Sequence, residues 1–270
     1  MPIVIRFYQG LRGDEEARHE SAALRELLPL GYPVPDVYAC VDQSKTYGAP
    51  FLVTQRFNGR TLAETSEAAA WVDHACNLLL RLHSLPWQDG FDLFQPPMSP
   101  LDFAERQVKW WGREAQKCGM TEAMPGFDWL KANLFRAREC ATRSLVHRHF
   151  QPSNLIAGKT QLVGVVAWAE LCIADPAVDV AWLRMTLDTE VGAEVGEHFY
   201  HTYQRHTPSV NATEQFWEVF AACKRLTMMA MERKAAGNES GESDSGLEAF
   251  YDRAADAVQH FMAERLVYDD

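Results

Sequence analysis

Residues His147-Arg148-His149-Phe150-Gln151-Pro152-Ser153-Asn154 bring two imidazoles, a guanidinium and a carboxamide into one short segment. An imidazole with an unperturbed pKa of ~6.5 can give or take a proton at neutral pH, and such general acid-base work is worth about 10²–10⁴-fold in rate. His149 is therefore either an acid or base, or a ring tolerated at a site with no chemistry. Arg148 beside it can anchor an anion. His147 and His149 form an H-x-H pair, a spacing that in a strand puts both rings on one face and can begin a metal site. No third ligand is evident, so no metal is expected there.

These groups need elements to hold them. Ile3-Val4-Ile5-Arg6-Phe7-Tyr8 is β-branched and aromatic and predicts a strand. Gly10 and Gly13 mark a turn. Asp14 can cap a helix reaching about Leu28, with Glu15 and Glu16 in its first turn. Gly31-Tyr32-Pro33-Val34-Pro35 breaks that helix, and strands follow over Val37–Val41 and Pro50–Phe57. Leu62 to Ser84 predicts helices, and so does 101–140, broken at Pro125 and Gly126. A hairpin turns at Gly158-Lys159. Helices resume near Trp182 and close the chain over Leu247–Leu266, with a polar, acidic, mobile loop expected over 237–246.

Composition narrows the field. The chain has 270 residues, is 47% hydrophobic and carries a formal charge of -11. That is core enough for one large domain or two lobes. The charge argues against sequence-independent nucleic-acid binding and suits cationic small molecules only weakly. The six cysteines share no C-x-x-C spacing, and no apolar run spans a bilayer. A cytoplasmic protein with reduced thiols, no membrane partner and no nucleic-acid partner is expected.

Taken in order, the motifs resemble one known family. The segment from His147 to Asn154 resembles the His-Gly-Asp-x-x-x-x-Asn loop of the aminoglycoside phosphotransferase and choline kinase family. Gly164-Val165-Val166-Ala167-Trp168 resembles its G-x-I-D-W segment, and Asp175-Pro176-x-x-Asp179 its G-D-P-x-x-D. Gly31 to Pro35, Phe51-Leu52 with Gly59-Arg60-x-Leu62, and Leu82-His83-x-Leu85-Pro86 add further landmarks, so the resemblance spans roughly 3–230. It implies an α+β, protein-kinase-like two-lobe fold. The expected division is a truncated N-terminal β lobe over 1–58, without the first two strands and the Gly-rich loop, and a mainly helical C-terminal lobe over 59–270.

The resemblance also implies roles. His147 would be the structural leading histidine and Asn154 a metal-binding asparagine. His149 stands where the catalytic aspartate belongs. Ala167 stands where the magnesium-binding aspartate belongs, with Glu170 three residues on as a substitute ligand. Arg6 and Glu20 occupy the places of the lysine that grips nucleotide phosphates and the glutamate that positions it, and form either a surface contact joining strand to helix or a guanidinium that can still meet carboxylate or phosphate. Asp175 and Asp179 would be structural, Asp179 buttressing the loop. Magnesium favours carboxylate oxygens and waters. With Ala167 offering none, ATP and magnesium are expected to bind weakly or not at all, and no cofactor is expected. The expectation is a degenerate member that binds a small molecule or partner. The alternatives are an enzyme repurposed around His149, or a small-molecule hydroxyl phosphotransferase with an unusual metal site. A homodimer through an exposed sheet edge is also expected.

Overall fold

The structure, a computed structural model, describes residues 2–10, 12–42, 46–65, 67–88, 90–94, 98–140, 142–207, 213–240 and 245–266. Packing divides the chain into two units. One comprises Met1–Gln95 and Ser144–Ala174, the other Pro96–Arg143 and Asp175–Asp270. These units divide the chain elsewhere than at the 58/59 boundary expected from the sequence. The reason is strand pairing: β4 (Arg60–Thr61) pairs with β6 (Leu155–Ala157), joining segments far apart in sequence.

In the first unit, β1 (Ile3–Phe7), β2 (Val37–Val41) and β3 (Phe51–Gln55) form an antiparallel sheet in the order β1-β3-β2. Arg6 lies opposite Leu52, which is buried. Strand β1 is an edge, and Ile3, Val4, Ile5 and Phe7 are all exposed. Helix α1 (Gly13–Leu27) packs Ala17, Glu20, Ala23, Leu24 and Leu27 inward. Asp14 does not cap it: Arg12 holds the cap position without a side-chain bond, and Asp14 pairs with Arg18 at 2.9 Å. Gly13 is needed for close approach, since a Cβ there would lie 2.7 Å from the Tyr8 carbonyl oxygen. Helix α2 is Val72–Ser84. The predicted hairpin forms from β6 and β7 (Leu162–Val165) and closes through Gly158 N–H to the Gln161 carbonyl at 2.9 Å. Strand β5 (Ser144–Val146) pairs with β8 (Cys172–Ala174) and delivers the chain into the loop at His147.

Glu20 organises this unit. It is only 4% exposed. Its carboxylate accepts from Arg6 Nη1 at 2.9 Å, the Tyr8 hydroxyl at 2.5 Å and the Trp168 backbone N–H at 3.0 Å. Burial, followed by the charge of Glu20, pushes the Tyr8 phenol well above its ordinary range, so Tyr8 keeps its proton and donates.

The second unit is helical: α3 (Pro100–Cys118), α4 (Met124–Ala132), α5 (Ala177–Glu190), α6 (Ala193–His206), α7 (Glu214–Ser240) and α8 (Ser245–Ala263). Ser99 caps α3 by accepting from Asp102 N–H at 3.1 Å, and left-handed Gly119 ends it. Pro125 and Gly126 do not break the helix, as the sequence suggested; they lie in the first turn of α4, where proline loses no hydrogen bond. Of the expected acidic loop, α7 and α8 take both flanks, and 241–244 lie outside the described residues. Buried Arg184 on α5 ties three helices. Nη1 donates to Glu214 at 2.7 Å and Glu218 at 2.6 Å, and Nη2 donates to Glu197. Arg265 reaches Glu218 at 2.8 Å. Burial, then the charge of Glu218, lifts the Glu214 carboxyl to about 7.

Two outcomes follow from these networks. Glu20→Ala strands the Arg6 and Tyr8 donors and the Trp168 N–H, and should cost about 3–5 kcal/mol in denaturant unfolding. A near-neutral Glu20→Ala would remove the central place given to this carboxylate. For Glu214 the folded-state pKa is raised above the ordinary 4.5. The folded state then holds the extra proton, so this group's contribution to stability falls as pH rises between those two values. After allowance for solvent screening the loss is about 1–2 kcal/mol. Glu214→Gln should flatten that part of the profile in melting curves run from about pH 5 to about pH 8; an unchanged profile would contradict it.

Candidate functional site

The loop after β5 is held almost wholly by main chain. His147 is fully buried. Its Nδ1 accepts the His149 N–H at 3.2 Å, so the ring proton sits on Nε2, which donates to the Val166 carbonyl at 2.9 Å. Both nitrogens are thus committed to backbone, and an H-x-H metal pair does not form. The ring meets the Trp168 indole edge-on at 4.4 Å between centroids and Phe150 at 5.8 Å. Trp168 is fully buried, and its indole N–H donates to the Val165 carbonyl at 2.9 Å. Through these two bonds the His147 ring ties the loop to segment 165–168.

Arg148 follows with φ +69°, a left-handed conformation that costs a side-chain-bearing residue about 1–2 kcal/mol. This is the place of the family's glycine, and the turn explains why glycine suits it. The Arg148 guanidinium is mostly buried and lies 3.3 Å from Glu170 Oε2. His149 turns Nδ1 towards the other oxygen of Glu170, at 3.6 Å, with 19% of its side chain exposed. One carboxylate therefore faces a guanidinium and an imidazole together. Asn154 sits in a short 3-10 turn, and its side-chain amide donates to the His149 carbonyl at 2.8 Å. Its own carbonyl accepts from Val166 N–H at 3.0 Å.

Ala167 also has φ +69° and is half-buried. The backbone there keeps a conformation that aspartate visits more readily than alanine. A magnesium ion would have to draw its oxygen ligands from these residues. Ala167 gives no side-chain oxygen, Asn154 commits its amide N–H to the His149 carbonyl and can offer a single neutral oxygen, and each oxygen of Glu170 faces Arg148 or His149. Among the described residues no group of three His, Cys, Asp or Glu side chains is placed to hold a metal ion. The residues present do not fit a magnesium site.

The structure brings Arg148, His149, Asn154 and Glu170 together around His147, and Arg6 with Glu20 nearby in the same unit. The Arg6–Glu20 contact departs from a plain surface pair: the Arg6 side chain is 45% exposed, but that of Glu20 only 6%. Asp175 and Asp179 belong to the other unit. Asp175 is buried, its Oδ1 accepting from Ala177 N–H at 2.9 Å and its Oδ2 from the Trp217 indole at 3.0 Å, and burial raises its pKa. Asp179 is fully buried in the first turn of α5. Two contributors escaped the sequence reading. Tyr8 stands two residues after Arg6, a spacing that shares a strand face and could have betrayed it. Trp168 acts through its backbone N–H, which no residue pattern encodes.

Comparison with known proteins adds descent to this geometry. The family model APH, described as the phosphotransferase enzyme family, matches residues 2–216. Solved structures share the fold. A thermostable mutant of aminoglycoside phosphotransferase APH(4)-Ia, in ternary complex with ADP and hygromycin B, aligns with TM-score 0.64 at 15% identity over 97% of this chain and 87% of its own. ADP-bound APH(2'')-Ib gives 0.60 at 19% identity over 98% and 88%. APH(3'')-Id from Streptomyces rimosus, in complex with ADP and streptomycin, gives 0.60 at 19% identity over 82% and 86%. Acyl-CoA dehydrogenase family member 11 of Gallus gallus is 24% identical over 168 residues, 58% of this chain. The chain spans about a fifth of that relative's length, 21%. With its kinase-like α+β fold and a model match over most of its length, the chain belongs to the phosphotransferase enzyme family.

Proposed function

We propose that this is a degenerate family member that does not transfer phosphoryl groups efficiently from magnesium-ATP and instead holds a small molecule or partner at the loop around His149. One observation carries the reading. Glu170, three residues after Ala167, is engaged by Arg148 at 3.3 Å and faces His149 at 3.6 Å, while Ala167 offers no side-chain oxygen. Phosphoryl transfer depends on positioning and on metal-borne charge neutralisation. Here a guanidinium supplies the positive charge that faces the carboxylate. That arrangement weighs against a phosphotransferase using Glu170 as an unusual metal ligand. A cytoplasmic location and the absence of nucleic-acid and membrane partners belong to the same proposal. No described helix is long and apolar enough to cross a membrane.

A second reading has its own support. The His149 ring, partly exposed and aligned with a carboxylate, is an arrangement that can orient a general acid or base. In that reading the site performs ATP-independent chemistry on a small molecule, with Arg148 as anion anchor and Asn154 holding the loop.

The first test is nucleotide binding. A ligand that binds only the folded state raises its stability by about 2.7 kcal/mol at a concentration of 100 Kd. Millimolar ATP with magnesium should give almost no thermal shift, and a shift of several degrees that chelator abolishes would return the protein to the kinases. The same melting curves, run over a range of protein concentration, would reveal the proposed homodimer through the edge of β1 as a rising melting temperature. The second test separates the two readings. In the first, His149→Ala leaves folding intact and abolishes no turnover, since none depends on a proton at that ring. In the second it removes activity while the melting temperature is retained, because a methyl group cannot carry a proton.

A further inference from the structure

We propose that the groove between α3 and the α4 segment binds a small amphipathic carboxylate, at a site separate from the loop of His149. The groove has a volume of about 300 Å³ and an apolar floor of Val108, Gly112 and Leu134. That volume is at the lower end of the ~300–1,000 Å³ usual for small-molecule sites. Its rim carries Lys109 and Arg113 on α3 and Lys131 on α4. Lys131 pairs with Asp128 at 3.0 Å. Lys109 and Arg113 make no hydrogen bond or ion pair among the described residues. In a chain of formal charge -11, two uncompensated cations over a concave apolar floor run against the general balance. One carboxylate, Glu105, shares the rim, one turn before Lys109.

Gly112 is the second, independent observation. Glycine inside a helix costs about 0.8–1.0 kcal/mol relative to alanine. Core packing does not require it, because a Cβ at Gly112 would meet the Phe127 ring at 3.6 Å, an ordinary contact. The contrast lies on the next helix, where a Cβ at Gly126 would fall 2.4 Å from the Cys223 sulfur. Gly126 is demanded by its neighbours; Gly112 is not. What Gly112 does achieve is a bare floor beneath the two cations.

The chemistry of the occupant follows. Residues four apart on a helix stand about 5–6 Å apart at Cβ, close enough for both cations to face one anionic head. Val108 and Leu134 offer no side-chain donors, and Gln116 is the single neutral polar side chain of the lining, so the rest of the ligand must be mainly apolar. A bare inorganic anion would lose the floor, and a neutral hydrocarbon would lose the rim. An aromatic or short aliphatic acid uses both.

The probe is 1-naphthoate, with neutral 1-naphthalenemethanol and inorganic phosphate as controls, read by titration calorimetry and by amide shifts of the intact chain. Expected is saturable naphthoate binding that moves the amides of Gly112 and Leu134, weakens with added salt, and exceeds binding of either control at least tenfold. Lys109→Gln with Arg113→Gln changes two exposed side chains, so the melting temperature should hold while naphthoate affinity falls at least tenfold. The proposal is overturned if naphthoate shows no saturation at millimolar concentration. It is equally overturned if the shifted amides lie elsewhere, if the alcohol or phosphate binds as tightly, or if the double variant binds naphthoate unchanged.

Discussion

A buried carboxylate is tolerated only when its charge is met by donors, because removing it from water costs several kcal/mol. Glu20 meets that condition with three donors from three places: a strand side chain, a phenol just beyond the strand, and the main chain of Trp168. The requirement fixes geometry. Helix α1 must approach β1 closely enough for Tyr8 to donate, which explains the bare Cα of Gly13 against the Tyr8 carbonyl. Trp168 must present its N–H to Glu20, which sets the indole against His147. His147 in turn holds the His149 N–H. The loop that carries the reactive side chains thus hangs from a helix far away in sequence.

Charge at the site is arranged as a closed pair. Where the family pattern that this chain resembles has a catalytic aspartate and a magnesium-binding aspartate, this chain has His149 and Ala167. Glu170 and Arg148 form a pair that is already neutral between themselves. The backbone has not followed the side chains. Arg148 and Ala167 are the two described non-glycine residues with positive φ. Both hold a conformation that costs about 1–2 kcal/mol for an L side chain. Strain of this kind persists only where the surroundings over-determine it. Here the surroundings are the hydrogen bonds of His147, Asn154 and Trp168.

Much of this was legible in the sequence, and the failures have physical causes. The strands at Ile3–Phe7, Val37–Val41 and Phe51–Gln55 announce themselves through β-branched and aromatic runs, and the hairpin through Gly158-Lys159. The loop could be found because its types and spacing are specific. Pro125-Gly126 misled, since a breaker in the middle of a helix is an ordinary residue in its first turn. Asp14 misled in a milder way, because the first turn of α1 welcomes a carboxylate that the cap position does not use. The double grip of Glu170 on Arg148 and His149 was not legible at all. It depends on the left-handed turn at Arg148, and nothing in the residue type signals that turn.

The way the loop is held separates the side chains its backbone depends on from those it does not. His147 binds a backbone N–H of residue 149 and a backbone carbonyl of residue 166. Asn154 binds the carbonyl of residue 149, and Glu20 the N–H of residue 168. None of these bonds depends on which side chain stands at 149 or 167. Substitution at those two positions therefore leaves the scaffold's hydrogen bonds in place, whereas loss of Glu20 or His147 would strand buried donors and acceptors at a cost of about 1–3 kcal/mol each. Folding stability therefore rests on the second group rather than on the first. A site built in this manner can take different side chains at positions 149 and 167 while its backbone keeps the same course.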